Sequence, residues 1–246
     1  MKLGRIAIGV SVACALFAGA ASASVTIGGT RVVYPLDQRE VTVKLDNDSV
    51  TPSLVQVWID DGHPDAKPGD IKVPFVITPP IFRMDSRKSQ TLRVMYSGEA
   101  VPMDRESVYW LNVLDIPPKA ADKDDANILQ IAYRTRIKVF VRPTKLAGKP
   151  EDAPSQLSWK ITAAPGGKGE ALSVSNPTPY YVSFSEVDVE SGGHTYKNER
   201  GGMVAPLATE VLPVAEMNAV GAGAKVHYTA ISDYGGALPG DATIGQ

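Results

Sequence analysis

From Val41 to Ile231 the sequence keeps returning to a period of two, and no segment sustains the 3.6-residue apolar period of an amphipathic helix. "EVTVKLDN" places Val41, Val43 and Leu45 on one side and breaks at Asp46-Asn47. "LVQVWIDDG", "TLRVMYSG" and "SVYWLNVLDIPP" alternate in the same way, the last ending in two prolines that cannot donate to a ladder. The most demanding stretch is "LQIAYRTRIKVFVRP", Leu129 to Pro143. Leu129, Ile131, Tyr133, Thr135, Ile137, Val139 and Val141 share one face, and Arg134, Arg136, Lys138 and Arg142 lie on the other. Fully extended it would run about 45 Å at roughly 3.3 Å per residue, against the roughly 17–20 Å of an ordinary strand. Seven or so strands separated by Pro, Gly, Asp and Asn predict an antiparallel sandwich.

After Pro143 the text changes. "TKLAGKPEDAPS" is polar and holds two prolines, which predicts a linker. "LSWKIT", "ALSVSN", "YYVSFSEVDV", "TEVLPV" and "KVHYTAIS" then form a second set of short strands joined by Gly-rich turns. The fold class is all-β, in two sandwiches of about 120 and 90 residues. No internal repeat is strong enough to use.

The chain opens with a leader. Lys2 and Arg5 precede "IAIGVSVACALFAGA" and the small residues "ASAS", the pattern of a secretory signal peptide cleaved after Ala23. The apolar run is shorter than the roughly 20 residues a membrane span needs, and no other stretch approaches one. The single cysteine, Cys14, falls inside the leader, so the mature chain has neither a disulfide nor thiol chemistry. Two basic residues leave with the leader, making the mature chain more acidic than the net −2 of the full sequence. That balance argues against a nucleic-acid partner.

Catalytic patterns are missing. The three histidines, His63, His194 and His227, stand near no G-x-S-x-G elbow and no H-E-x-x-H pair. Asp60, Asp61 and Asp65 in "DDGHPDAKPGD" lack the spacing of a calcium loop and read as a solvated hairpin tip. The chain is expected to be no enzyme and to use no metal or other cofactor.

Five strings in order, "TRVVYP", "RESVYWLNVLDIPP", "LQIAYRTRIKVFVRP", "NPTPYYV" and "DYGG", resemble the periplasmic chaperones of chaperone–usher pili over essentially the whole mature length. The resemblance implies two immunoglobulin-like β-sandwich domains arranged as a boomerang. The expected division is a signal peptide at 1–23, a subunit-binding domain at 24–145, a linker at 146–154 and a second domain at 155–246. It implies periplasmic partners: pilus or fimbrial subunits, whose sandwich lacks its last strand, and an outer-membrane usher that receives them. The long strand would complete the subunit by donor-strand complementation, with Leu129, Ile131 and Tyr133 inserted into the open groove. Ile137 and Val139 would face the chain's own core.

By the same resemblance Arg31 and Lys138 anchor the subunit's C-terminal carboxylate, while Glu106, Arg142 and Asp233 form a charge network between the domains. Arg134 and Arg136 read as solvated strand residues. Only ten residues separate Pro118 from Leu129, which looks like the short-loop branch of the family, although some short-loop relatives have a terminal disulfide that this chain lacks. Two unloaded copies could also pair through the exposed strand. A surface adhesion module, a pilin and a secreted hydrolase are the competing classes; the first should show an anchor or further modules, the second a donor extension after the leader, and the third a site.

Overall fold

The structure is a computed structural model that describes residues 25–119, 130–164, 169–198, 200–214, 217, 220–221 and 223–244. The leader with its cleavage position, and Leu129, lie outside the described residues.

Two sandwiches follow one another along the chain. In the first, β1 (Val25–Ile27), β3 (Glu40–Asn47), β7 (Ser89–Tyr96) and β5 (Phe75–Thr78) form one sheet in the order β1-β3-β7-β5. The facing sheet has the order β2-β9-β8-β4-β6, from β2 (Arg31–Pro35), β9 (Tyr133–Arg142), β8 (Ser107–Ile116), β4 (Ser53–Asp60) and β6 (Ile81–Met84). Alternate residues meet between them: Leu45 and Leu92 from one sheet, Val55, Leu111, Ile137 and Val139 from the other, all buried. Alternation of this kind is what fixes the register, because a one-residue slip would turn every apolar side chain outward.

The first strand changes sheets. β1 pairs antiparallel with β3, the chain turns at Gly28-Gly29, and β2 then runs parallel to β9, with Arg31 opposite Lys138 and Pro35 opposite Arg142. β9 is a ten-residue strand, shorter than the fifteen residues of alternation, because Gln130–Ala132 lie outside the ladder. On one side β8 pairs with it along its length, from Tyr133 opposite Asp115 to Val141 opposite Ser107. On the other side β2 reaches only Lys138, so among the described residues nothing pairs with that edge of Tyr133–Ile137.

The second sandwich stacks β10 (Ser158–Ala163), β11 (Glu170–Asn176) and β15 (Ala208–Leu212) on a sheet of order β13-β12-β16-β17. Its strands are β13 (His194–Asn198), β12 (Val182–Ser191), β16 (Lys225–Ile231) and β17 (Ala237–Thr243), with β14 (Gly202–Val204) also paired to β12. Trp159, Phe184 and Tyr228 meet at ring-centre distances of 5.6–5.9 Å in its core. Residues 146–154, expected as a linker, connect the sandwiches while packing on the second: Leu146 and Ala153 join its core, and the Tyr228 hydroxyl donates to the Pro154 carbonyl at 3.0 Å.

A repeated device, too short to show as a sequence repeat, closes β3 and β11. Asn47 and Asn176 are each about 1 % exposed, and each is followed two residues later by Ser49 or Thr178. Asn47 Nδ2 donates to the carbonyls of Thr51 and Met84, and its Oδ1 accepts from the Ser49 amide. Asn176 Nδ2 donates to the carbonyls of Tyr180 and Ala205, and its Oδ1 accepts from the Thr178 amide and hydroxyl. The second corner holds Tyr180 and Tyr181 against the first sandwich. Asn176→Ala strands several buried polar groups at about 1–3 kcal/mol each. The substitution is expected to cost about 2–4 kcal/mol in urea unfolding, and a loss below about 0.5 kcal/mol would show that the corner is dispensable.

Candidate functional site

The parallel pairing of β2 with β9 sets Arg31 and Lys138 side by side at the mouth of a cleft between the sandwiches. Arg31 Nη1 donates to the Ile231 carbonyl at 2.9 Å, and Lys138 Nζ donates to Ser183 Oγ at 3.0 Å. The cleft encloses about 430 Å³, and Trp110, Arg136, Ser185 and Ala237 also line it. Its far wall includes the turn between β16 and β17. There Gly235 has a φ of +81°, and a Cβ would lie 2.7 Å from Thr30 Oγ1, so only glycine lets the turn approach so closely.

Electrostatically this cleft is unbalanced. Among the described residues neither Arg31 nor Lys138 forms an ion pair within 4 Å, and Arg31 Nε is buried without a hydrogen-bond partner. Burial, and then the neighbouring Arg31 charge, lower the Lys138 ammonium to about 8. Burial also lowers Arg31, with Asp233 opposing. Two close cations and an orphaned donor suit a small anion, above all a carboxylate, through charge-assisted hydrogen bonds. Ser183 and the Ile231 carbonyl, which orient the two cations, carried no signal in the sequence.

At the other end of β9, Ile131 and Tyr133 are 47 % and 55 % exposed, beside the unpaired edge. They continue the face whose later members, Ile137 and Val139, are buried in the first core. Lys138 lies on the opposite parity from Tyr133, so the two side chains leave β9 from different faces.

Two expectations are overturned: Arg136 is largely covered and ion-paired, and Asp60 is not part of a hairpin tip, whereas Arg134 stays exposed, as expected, with its head group hydrogen-bonded. Asp60 is fully buried at the end of β4. It accepts from Arg136 Nε at 2.9 Å and Nη2 at 2.5 Å, from Asn112 Nδ2 at 2.7 Å and from the Gly62 amide at 2.8 Å. Arg134 forks onto Asn112 Oδ1 at 2.8 and 2.6 Å and donates to the Pro64 carbonyl at 2.6 Å. The guanidinium groups lie over Trp58 and Trp110, at 5.0 and 4.6 Å from the ring centres. Burial pushes the Asp60 carboxyl up, but hydrogen bonds led by Arg136 outweigh it and hold the group below the usual carboxylate range. A signal was present: Trp58/Asp60, Trp110/Asn112 and Arg134/Arg136 each sit two apart on what prove to be neighbouring strands.

Glu106, Arg142 and Asp233 come together between the sandwiches. Arg142 Nε donates to Glu106 Oε1 at 2.5 Å, and its two terminal nitrogens donate to Asp233 at 2.6 and 2.9 Å. The other Glu106 oxygen accepts from the Tyr181 amide at 2.8 Å, and the Glu106 amide donates to the Pro179 carbonyl at 2.9 Å. Burial pushes the Glu106 carboxyl up, opposed by Arg142; for Arg142 burial is outweighed by the flanking carboxylates, which raise it.

Residues 24–147 match the family described as "Pili and flagellar-assembly chaperone, PapD N-terminal domain", and residues 152–242 match "Pili assembly chaperone PapD, C-terminal domain". The probable fimbrial chaperone YadV of Escherichia coli K12 is 46 % identical over 237 residues, covering 95 % of each chain. The crystal structure of the YadV chaperone matches with a TM-score of 0.77 at 43 % identity, over 90 % of this chain and all of the other. The SafB chaperone of Salmonella enterica, solved in complex with the SafA pilin, matches with a TM-score of 0.74 at 27 % identity, over 92 % of this chain and 99 % of the other.

The charge network separates two substitutions. Arg142→Ala leaves the buried Glu106 carboxylate without its cation and is expected to cost about 3–5 kcal/mol. Asp233→Asn removes a charge from a partly exposed group and is expected to cost about 1 kcal/mol or less. Urea denaturation of both variants checks the order, and equal losses would reduce the network to independent surface pairs.

Proposed function

Because this chain belongs to the pili-assembly chaperone family, we propose that it binds pilus subunits in the periplasm, completes their fold by lending them β9, and delivers them to an outer-membrane usher. The half-paired state of β9 supports this reading above all else. A strand with one bare edge and exposed alternate apolar side chains is what a sandwich lacking its last strand needs for its backbone and its groove. Ile131 and Tyr133 enter that groove, with Leu129 assigned the same role from the sequence alone. Arg31 and Lys138 receive the subunit's C-terminal carboxylate, and Glu106, Arg142 and Asp233 hold the cleft at its working width.

Insertion and anchoring are tested separately. Ile131→Asp places a carboxylate in an apolar groove, at a cost of several kcal/mol if it stays charged. Co-purification with a subunit is expected to fail while the melting temperature of the free protein stays unchanged. Retained complex would reject the insertion role.

The anchor predicts a pH dependence. Lys138 is lowered to about 8 in the empty cleft, and a bound carboxylate raises it again. Above pH 8 binding therefore takes up a proton, and affinity falls as pH rises, by up to about ten-fold per pH unit. Calorimetric titration with a peptide ending in a free carboxylate checks this at pH 7 and 9, and an amidated peptide should bind weakly at both. Arg31→Ala or Lys138→Ala is expected to weaken binding roughly ten- to hundred-fold. A pH-independent affinity would remove Lys138 from the anchor. Since its folded value is lowered, the charged ammonium opposes folding of the empty protein below about pH 8. Lys138→Met is accordingly expected to raise the melting temperature at pH 7 while weakening capture by the same roughly ten- to hundred-fold factor.

A further inference from the structure

The bare edge of β9 poses a stability problem. Among the described residues the strand between Tyr133 and Arg136 has a neighbour on one side only, and Tyr133 and Thr135 on its apolar face are exposed, so neither a second ladder nor a core from those residues holds this end in place. An edge strand held by a single ladder, with its alternate side chains exposed, opens more readily than an interior strand. β8, itself paired with β4 as far as Ile116, supports this end from one side only.

What does hold it lies on the reverse face. Arg134 and Arg136 reach back across β8 toward β4: Arg136 forks onto buried Asp60, and Arg134 forks onto Asn112, which itself donates to Asp60. The Asn112 amide is thereby used on both sides, its nitrogen toward Asp60 and its oxygen toward Arg134. Trp58 and Trp110 lie under the two guanidinium planes and keep them close to the sheet. Each polar contact is charge-assisted or buried, the setting in which a hydrogen bond contributes most.

We propose that Asp60, acting through Asn112, Arg136 and Arg134, is a positioning residue that keeps the one-sided end of β9 extended, so that its bare edge is ready for pairing before a subunit arrives. The proposal rests on the reading of β9 as the strand lent to a subunit. Its physical content is preorganisation. A frayed end would have to be ordered during the encounter, which slows capture, whereas in the finished complex the subunit's own strand closes the edge.

The test uses the full mature chain, with Asp60→Asn and Arg134→Lys as variants. Arg134→Lys keeps the charge, loses the fork and changes a partly exposed side chain, so it decides the matter if Asp60→Asn does not fold. Two quantities are measured: amide exchange at residues 133–136 in the empty protein, and the rates of capture and release of a pilus subunit diluted from denaturant. Exchange is expected to accelerate about ten-fold or more, and capture to slow by a similar factor. Release should change less than about two-fold, a split that general destabilisation would not produce. Unchanged exchange and capture in a folded variant would overturn the proposal, as would an equal effect on capture and release. Should the wild-type protein capture no subunit while the variants still fray at 133–136, the reading of β9 as a lent strand fails and the positioning of its end stands.

Discussion

The decisive constraint is how far β2 travels beside β9. Because the first strand spends Val25–Ile27 on β3 and crosses over only at Arg31, β9 is an interior strand over its second half and an edge strand over its first. Natural sheets cover, twist or charge such edges, since bare backbone invites pairing. Here charge is placed behind the edge and the edge itself is left open. The same crossover sets Arg31 against Lys138, so one topological choice creates both the bare edge and the cationic cleft.

Charge is handled in two opposite ways within about one strand's width. Around Asp60 and around Arg142 the buried charges are matched by forked partners and backbone donors. Between them, among the described residues, Arg31 and Lys138 donate hydrogen bonds only to a carbonyl and a hydroxyl, and burial lowers both. Matched networks fix geometry, and buried ion pairs are better known for specificity than for stability. An unmatched pair stores a demand for an anion.

Strand content and the core were legible because one signal, alternation, controls both. "EVTVKLDN" coincides with β3, and Ile137 and Val139 fall in the core where parity put them. The partners of the outer face were not legible. Parity separates Arg134 and Arg136 from the apolar face but cannot say whether water or Asp60 lies opposite, because that depends on the non-local order β9-β8-β4. The packing of segment 146–154 was hidden for another reason. Its prolines and charges have the composition of a spacer, yet a 3-10 turn at Pro150–Gln156 hides Ala153 against the second core, and one buried alanine leaves no periodic trace. The Asn47 and Asn176 corners escaped as a repeat because two residues in a fixed geometry are too few to show as sequence similarity.

The odd spacing along β9 makes the strand a ruler. Lys138 and Tyr133 are five residues apart along the strand, which at about 3.3 Å per residue is roughly 17 Å, and the odd number sends them to opposite faces. A guest whose end is fixed at the cleft has its distance to the apolar positions set in advance, counted from its terminus. Sliding by one residue would present the wrong face, and sliding by two would pull its end about 6.6 Å from the cations. On the proposed reading such a strand would select by length from the end of the chain, so guests of very different interior sequence would be held in one and the same frame.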